Sequence, residues 1–343
     1  MKKSHMDIQK SMSPRELNSD FVRDTISSVY ILNVIETPIL MEEGVENAAY
    51  LIKTNKEKFV VKVFVQNVGP KERIIKEVKL CNFLIKNGIN VPEIIQSKRG
   101  EFVEEISINN FKFFMFLMVH QDLRRVYPNN IRKQELIKIS QEIAKMNKIL
   151  QSYPDVKITK EQDNLHKHID SLSWFEVFTD SPNSKIYNGK EIEHLKTLNQ
   201  QMYEYYSNNI PGKNLTESII HGDLALGHTR FLPNNEVYFF DFTDFAYGPV
   251  SQEIAVFLNN LYRENGISFE KWEEFRKIVL NTYSSEMSIN KHDLKAIIPL
   301  IVRRISGEIL YLSDFANKIG KPVNVDGNKR RFELAKYLIE RFI

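Results

Sequence analysis

An α+β chain, with a β-rich N-terminal lobe followed by a mainly helical C-terminal lobe, is the fold class that the sequence predicts. Three observations carry the prediction. "KFVVKVFV" at 58–65 and "FKFFMFLMV" at 111–119 are apolar runs of strand length, the second reading as a strongly buried strand. After Asn130 the apolar residues recur at helical spacing almost to the end of the chain. With 343 residues, 42% of them hydrophobic, the chain has material for two buried cores.

The elements follow in order. "SPRELNSDFVRDTISSVY" reads as a helix capped at Ser13, within an N-terminal segment 1–28 that is otherwise polar. "ILNVIETPILM" is β-rich, "NAAYLIKTN" alternates, and the turn-prone "TNKE" joins it to "KFVVKVFV", so these form an antiparallel meander. In "PKERIIKEVKLCNFLIKNG" Ile74, Ile75, Val78, Cys81, Leu84 and Ile85 fall at helical spacing, and Gly88 ends the helix. "VPEIIQSKRGEFVEEI" reads as a hairpin turning at Lys98 to Glu101, before the buried strand "FKFFMFLMV". The expectation is a five-stranded antiparallel sheet with one helix across it over 29–120, then a linker over 121–130, in the stretch "HQDLRRVYPNN". In 131–343, helices are expected in "RKQELIKISQEIAKMNKIL", "KEIEHLKTLNQQMYEYYSNNI", "SQEIAVFLNNLY", "SFEKWEEFRKIVLNTYSSE", "LKAIIPLIVRRISGEILYL" and "KRRFELAKYLIERF". The one β interruption is "HTRFLPNNEVYFFDF", two short strands joined by "PNNE".

Composition excludes several classes. A formal charge of +3 over interleaved Lys and Glu gives no nucleic-acid stripe and no polybasic membrane patch. The one cysteine, Cys81, excludes an intramolecular disulfide framework and fits a reducing compartment. The longest apolar run falls far below the roughly 20 residues that span a bilayer, and "MKKSHMDIQKSM" lacks the apolar stretch of a signal peptide. The expected setting is the cytoplasm, with a small molecule as partner.

The densest chemistry lies in "HGDLALGHTRF", 221–231, and "FFDFTDF", 239–245. His221, Asp223 and His228 are acceptable zinc ligands by type, but their spacing on a loop does not converge them, and no His-Glu-x-x-His helix or cysteine pair completes a shell. Two carboxylates explain the stretch better. Asp223 precedes the hairpin and Asp241 ends it, so the chain returns the second acid to the first. Phosphoryl transfer from a nucleotide uses such a pair: one Asp orients the attacking hydroxyl and takes its proton, the other holds the magnesium that bridges the phosphates. The place between them, normally an Asn, is held by His228. Lys62, inside an apolar strand, needs an anion or a carboxylate for its ammonium, and Glu77 on the next helix is the obvious partner. Strict alternation also allows Lys62 to face solvent, opposite Val61 and Val63. Gly44 is weak evidence for a phosphate loop, a bare turn being the usual explanation, but its position before Lys62 makes it usable.

These residues resemble the aminoglycoside phosphotransferase and choline kinase-like superfamily: "HGDL", "DFTDFAYGP" and "YGPVSQEIAVFL" fall in family order with "GVENAAYLI", "FVVKVF" and "KEVKLCNFLIKNGINVPEII". The first of those N-terminal segments looks most like type II homoserine kinases, and "HGDLxxGH" resembles the macrolide phosphotransferase branch. The resemblance implies a two-lobed protein-kinase-like fold, Mg-ATP as donor, Asp223 as catalytic base and Asp241 as metal ligand with His228 in the asparagine's place. It also implies Lys62 and Glu77 at the phosphates, and the adenine on backbone groups near Met118 to His120. Glu253 stands where the family usually has an Asp that braces the catalytic loop. The acceptor implied is a small-molecule hydroxyl, an antibiotic in the first instance, with homoserine or choline as rivals and a silent nucleotide-binding pseudokinase as the alternative from another class. Glu264, Glu273, Glu274 and Asp314 would suit a cationic acceptor or, as is commoner, the solvated face of a helical core, whereas Arg303 and Arg304 would suit a carboxylate or merely surface charge.

Overall fold

A computed structural model describes residues 13–41, 47–65, 71–108, 111–157, 189–210, 214–263, 267–318 and 325–342. The chain divides into two compact units, Met1–Asp122 and Leu123–Ile343.

In the first unit the sheet contains β1 (Ile39–Leu40), β2 (Ala48–Lys53), β3 (Lys58–Val65), β4 (Ile94–Ile95), β5 (Glu104–Ile108) and β6 (Phe111–Val119), every pairing antiparallel. The order is β1-β2-β3-β6-β4, with β5 also on β6, so six strands take part where five were expected. The hairpin expected in "VPEIIQSKRGEFVEEI" turns where predicted, Ser97 N–H donating to the Glu101 carbonyl at 2.8 Å. Its arms do not pair with each other, however. Ile94 and Ile95 pair with Met118 and Leu117, while Glu104 to Ile108 pair with Met115 to Phe111, so β4 and β5 follow one another along one edge of β6. The long apolar β6 offers a better partner along its whole length than two short arms offer one another.

Helix α1 (Ser19–Tyr30) starts at the Asn18 cap; Ser13 instead caps a separate 3-10 turn, Pro14–Glu16. Pro14 suits the first turn of a helix but the chain is extended again at Leu17, which resets the start. Far from lying outside the lobe, α1 sends Val22, Ile26 and Tyr30 into a core with Tyr50, Val61, Val63, Phe113, Met115 and Leu117. On the opposite face Lys62 reaches α2 (Lys71–Lys86). Two covered faces explain the unbroken apolar runs of β3 and β6. Ile74, Val78, Leu80, Cys81 and Leu84 are buried on α2, whereas Ile75 and Ile85 turn outward.

In the second unit α3 (Lys133–Leu150), α4 (Gly189–Asn209), α5 (Val250–Arg263), α6 (Phe269–Glu286), α7 (Lys291–Lys318) and α8 (Val325–Phe342) fill the expected helical segments. α7 packs on α5, α4 and α8, and α3 on α6. Trp272 of α6 is fully buried and donates its indole N–H to the Leu258 carbonyl of α5 at 2.9 Å. The expected hairpin is β9 (Thr229–Phe231) with β10 (Val237–Phe239). It has company that the sequence did not announce: β8 (Glu217–Ile220) pairs with β11 (Ala246–Pro249), and β7 (Arg124–Arg125), inside the segment expected as a linker, joins the free edge of β9. β7 and β8 are too short for alternation to register, and β11 contains Gly and Pro. No helix among the described residues is long and apolar enough to cross a membrane.

Candidate active site

Two nested ladders build the loop pair. The outer ladder joins Ile220 to Ala246 and the inner joins Thr229 to Phe239, so residues 221–228 and 240–245 are held opposite one another. The Phe240 N–H donates to the His228 carbonyl at 3.2 Å, closing the inner end. Gly222 marks the closest approach. Its φ is +84°, and a Cβ built on it would lie 2.0 Å from the Asp244 carbonyl oxygen. Only glycine satisfies both the conformation and the contact. Asp241 is itself left-handed, with φ 67° and ψ 63°, a conformation Asp tolerates better than most residues and one that recurs at functional sites. The Thr243 hydroxyl donates to Asp241 Oδ1 at 2.7 Å and holds the carboxylate.

Glu253 of α5 fastens the loop from behind. Fully buried, it accepts the N–H of His221 at 2.8 Å on one oxygen and that of Gly222 at 3.2 Å on the other. Burial pushes its pKa up to about 7 against the opposing pull of those two amides, and the Asp223 charge adds to the rise. The longer glutamate thus does the bracing expected of the shorter acid. His221 is also fully buried, donating Nε2–H to the Phe240 carbonyl at 3.0 Å with its ring against Phe242. Burial, then repulsion from His228, brings its pKa down to about 4, so it remains neutral and shapes the loop.

His228 stands between the two aspartates. Its Nδ1 is 2.8 Å from the Asp223 carbonyl oxygen. A carbonyl only accepts, so the proton is on Nδ1. The other nitrogen, Nε2, faces Asp241 Oδ2 at 3.8 Å, and Nδ1 lies 3.7 Å from Asp223 Oδ2. Nε2 is thus the ring nitrogen turned toward Asp241. The remaining Asp223 oxygen, Oδ1, accepts from Arg304 of α7, whose Nε donates to Glu308 Oε1 at 2.6 Å. Burial would lower the Arg304 pKa, but Glu308 and Asp223 more than offset it and the value is raised. Glu308 in turn lies 3.3 Å from Arg331 Nε and accepts from Asn259 at 3.2 Å.

Magnesium usually takes one or two protein carboxylates and leaves the rest of its shell to water and phosphate. Asp241 Oδ2 and His228 Nε2, 3.8 Å apart, are the two groups here that could meet that demand. Nitrogen is the less favoured donor for magnesium. Among the described residues no three His, Cys, Asp or Glu side chains cluster to hold an ion unaided.

In the first unit Lys62 Nζ lies 3.5 Å from Glu77 Oε1, with the side chains 12% and 6% exposed. The solvent-facing alternative for Lys62 is thereby set aside. Met118 pairs with Val60 and Ile94, so it is held inside the sheet, and the His120 N–H donates to the Lys58 carbonyl at 3.0 Å. Burial lowers the His120 pKa. Gly44 lies outside the described residues.

Residues 39–288 match the phosphotransferase enzyme family. The chain belongs to that family. Among curated relatives, this phosphotransferase is 22% identical over 262 residues to a homoserine kinase of Bradyrhizobium diazoefficiens, covering 76% of this chain and 73% of the relative. Among solved structures it resembles the amicoumacin kinase hAmiN in complex with AMP-PNP, Ca2+ and Ami, with TM-score 0.72, 17% identity and 95% and 94% of the two chains covered. It also resembles a microcompartment-associated aminopropanol kinase, with TM-score 0.71, 14% identity and 94% and 98% covered. The two-lobed kinase-like fold expected from the motifs is thus the fold of this phosphotransferase.

The sequence reading left Arg304 undecided and missed its contact with Asp223, because the two are 81 positions apart. For two of the acidic helix residues the helical core with a solvated face is what the structure shows. Glu273 is paired with Arg276 at 2.8 Å and Glu274 with Lys271 at 2.8 Å, each on its own helix. Glu264 lies outside the described residues.

Proposed function

We propose that this phosphotransferase moves the γ-phosphoryl group of Mg-ATP to a hydroxyl of a small molecule in the cytoplasm, residues 29–120 taking the nucleotide and 131–343 the acceptor. The observation that carries the reading is the ordered trio Asp223, His228 and Asp241, with His228 Nδ1 on the Asp223 carbonyl and Nε2 turned toward Asp241. Asp223 orients the acceptor hydroxyl and takes its proton as the oxygen attacks phosphorus. Asp241 and His228 are the residues that would hold magnesium. The ion, when bound, offsets the charge of the phosphate oxygens. Lys62, kept in place by Glu77, meets the α- and β-phosphates, and backbone groups near Met118 and His120 take the adenine. The amicoumacin kinase supports an antibiotic as acceptor, and the homoserine kinase supports a metabolite alcohol.

Asp223→Asn tests the mechanism. Turnover on any alcohol that the wild type phosphorylates is expected to fall by about 10²–10⁴-fold, while calorimetry shows Mg-AMP-PNP binding retained. Full activity in this variant would remove Asp223 from the chemistry. Nucleotide binding indifferent to magnesium would remove Asp241 and His228 from theirs.

A further inference from the structure

We propose that Arg304 selects the acceptor, binding a carboxylate carried by the same small molecule whose hydroxyl lies on Asp223. The inference rests on the phosphotransferase reading above and adds the acceptor's chemical class. Three features of the Arg304 surroundings support it. First, the guanidinium sits on the base itself, donating through Nη2 to Asp223 Oδ1, whereas His228 and the metal side approach the other oxygen, Oδ2. A group held by Arg304 is therefore on the side of Asp223 away from His228. Second, its helix partner is not its alone: Glu308 is shared between Arg304 and Arg331. Third, Arg304 is placed to meet a ligand. Its Nε goes to Glu308 and one Nη2 bond to Asp223, so two of five N–H groups are engaged by these contacts, and the side chain remains 28% exposed.

A planar fork of donors beside a carboxylate is suited to a second carboxylate, which it can bind through two parallel hydrogen bonds. The acceptor must then carry its hydroxyl and its anionic group a few bonds apart, because Asp223 and Arg304 are in direct contact. A polycationic acceptor, by contrast, has no group for this fork of donors to bind. A phosphate oxygen of the nucleotide is the other anion within the chemistry of this site, and the experiment separates the two.

The test uses the full chain with Mg-ATP and matched acceptors: homoserine, 3-hydroxybutyrate and 4-hydroxybutyrate, each beside its carboxamide, together with choline and kanamycin. In the wild type, kcat/KM is expected to be higher for a carboxylate than for its amide. Arg304→Gln should erase about 10–100-fold of that preference, mainly through KM, and Arg304→Lys should restore part of it. Equal losses on both members of a pair would mean that Arg304 serves only Asp223 or the nucleotide phosphate, and would overturn the proposal. A wild type that prefers amides, choline or kanamycin overturns it without any variant and leaves the phosphotransferase reading standing. If no alcohol is phosphorylated and Mg-AMP-PNP does not bind, both readings fall together.

Discussion

Gly222→Ala separates the conformational role of a glycine from its role in closing the site, because the protein contains its own controls. Gly88, Gly100 and Gly222 have nearly the same φ, 75°, 79° and 84°. A Cβ at Gly88 or Gly100 would meet nothing within 4 Å, whereas at Gly222 it would lie 2.0 Å from the Asp244 carbonyl oxygen and 2.8 Å from its carbon. Each substitution incurs the left-handed penalty of an L residue, about 1–2 kcal/mol. Only Gly222→Ala must also move backbone, by on the order of 1 Å, which adds about 1–3 kcal/mol as in an overpacked core. The same shift displaces Asp244 and with it the Asp241 turn. Misplacement by ~1 Å at reacting groups lowers rate by roughly 10²-fold. Urea unfolding should therefore show Gly222→Ala less stable than Gly88→Ala by about 1–3 kcal/mol. Steady-state assays should show the rate loss in Gly222→Ala alone. Equal destabilisation of the two variants, or normal turnover in Gly222→Ala, would refute the claim that the two loops are locked through this contact.

The buried Glu253, with a pKa near 7 in the fold against an ordinary glutamate in the unfolded chain, holds its proton more tightly when folded. Its contribution to stability is therefore full below about pH 4 and falls as pH rises through 7, by an amount on the order of 3 kcal/mol in all. Subtracting the unfolding free energies of Glu253→Gln from wild type between pH 4 and 8 should reveal that slope, and a difference flat with pH would disprove it. For His228, Ala is expected to raise the magnesium concentration needed for half-maximal turnover by about tenfold or more, because the nitrogen proposed to hold the ion is lost. Asn supplies both an N–H for the Asp223 carbonyl and an oxygen donor, and should leave the requirement unchanged or lower. An Ala variant with an unaltered magnesium requirement would remove His228 from the metal. For Lys62→Met, removing one partner leaves Glu77 buried without that ammonium, at about 3 kcal/mol in denaturant unfolding. Adding Glu77→Leu should recover stability but not activity; recovery of both would make the pair structural only.

The sequence showed the β-rich lobe because strands buried on two faces leave long apolar runs, and it showed the helices because their apolar faces repeat. It did not show how short segments pair. "II" at 94–95 and "RR" at 124–125 contain no period, and each becomes a strand only because a longer neighbour, β6 or β9, offers it an edge. Helix α1 is polar enough on its outer face to pass for a separate segment. Its three buried residues, Val22, Ile26 and Tyr30, fall at i, i+4 and i+8 and bind it to the sheet.

The site was legible in proportion to how local it is. Asp223, His228 and Asp241 fall within one stretch folded by two nested ladders, so their meeting follows from the hairpin between them. Burial then sorts acids that the sequence presents alike. Glu253 has no exposed surface and both oxygens committed to backbone amides, so it can hold the loop but can meet neither acceptor nor metal. Asp223 is 26% exposed, with Arg304 on one oxygen and the His228 ring near the other. Exchanging their surroundings would exchange their roles, a dependence that residue type cannot encode. Arg304 belongs to that second kind of information. It reaches Asp223 from α7, a helix whose own pattern specifies only packing on α4, α5 and α8, so nothing near it in sequence distinguishes it from Arg303, one position away. The difference lies in their surroundings: Arg304 contacts the carboxylates of Asp223 and Glu308, whereas burial and the Arg304 charge lower the pKa of Arg303.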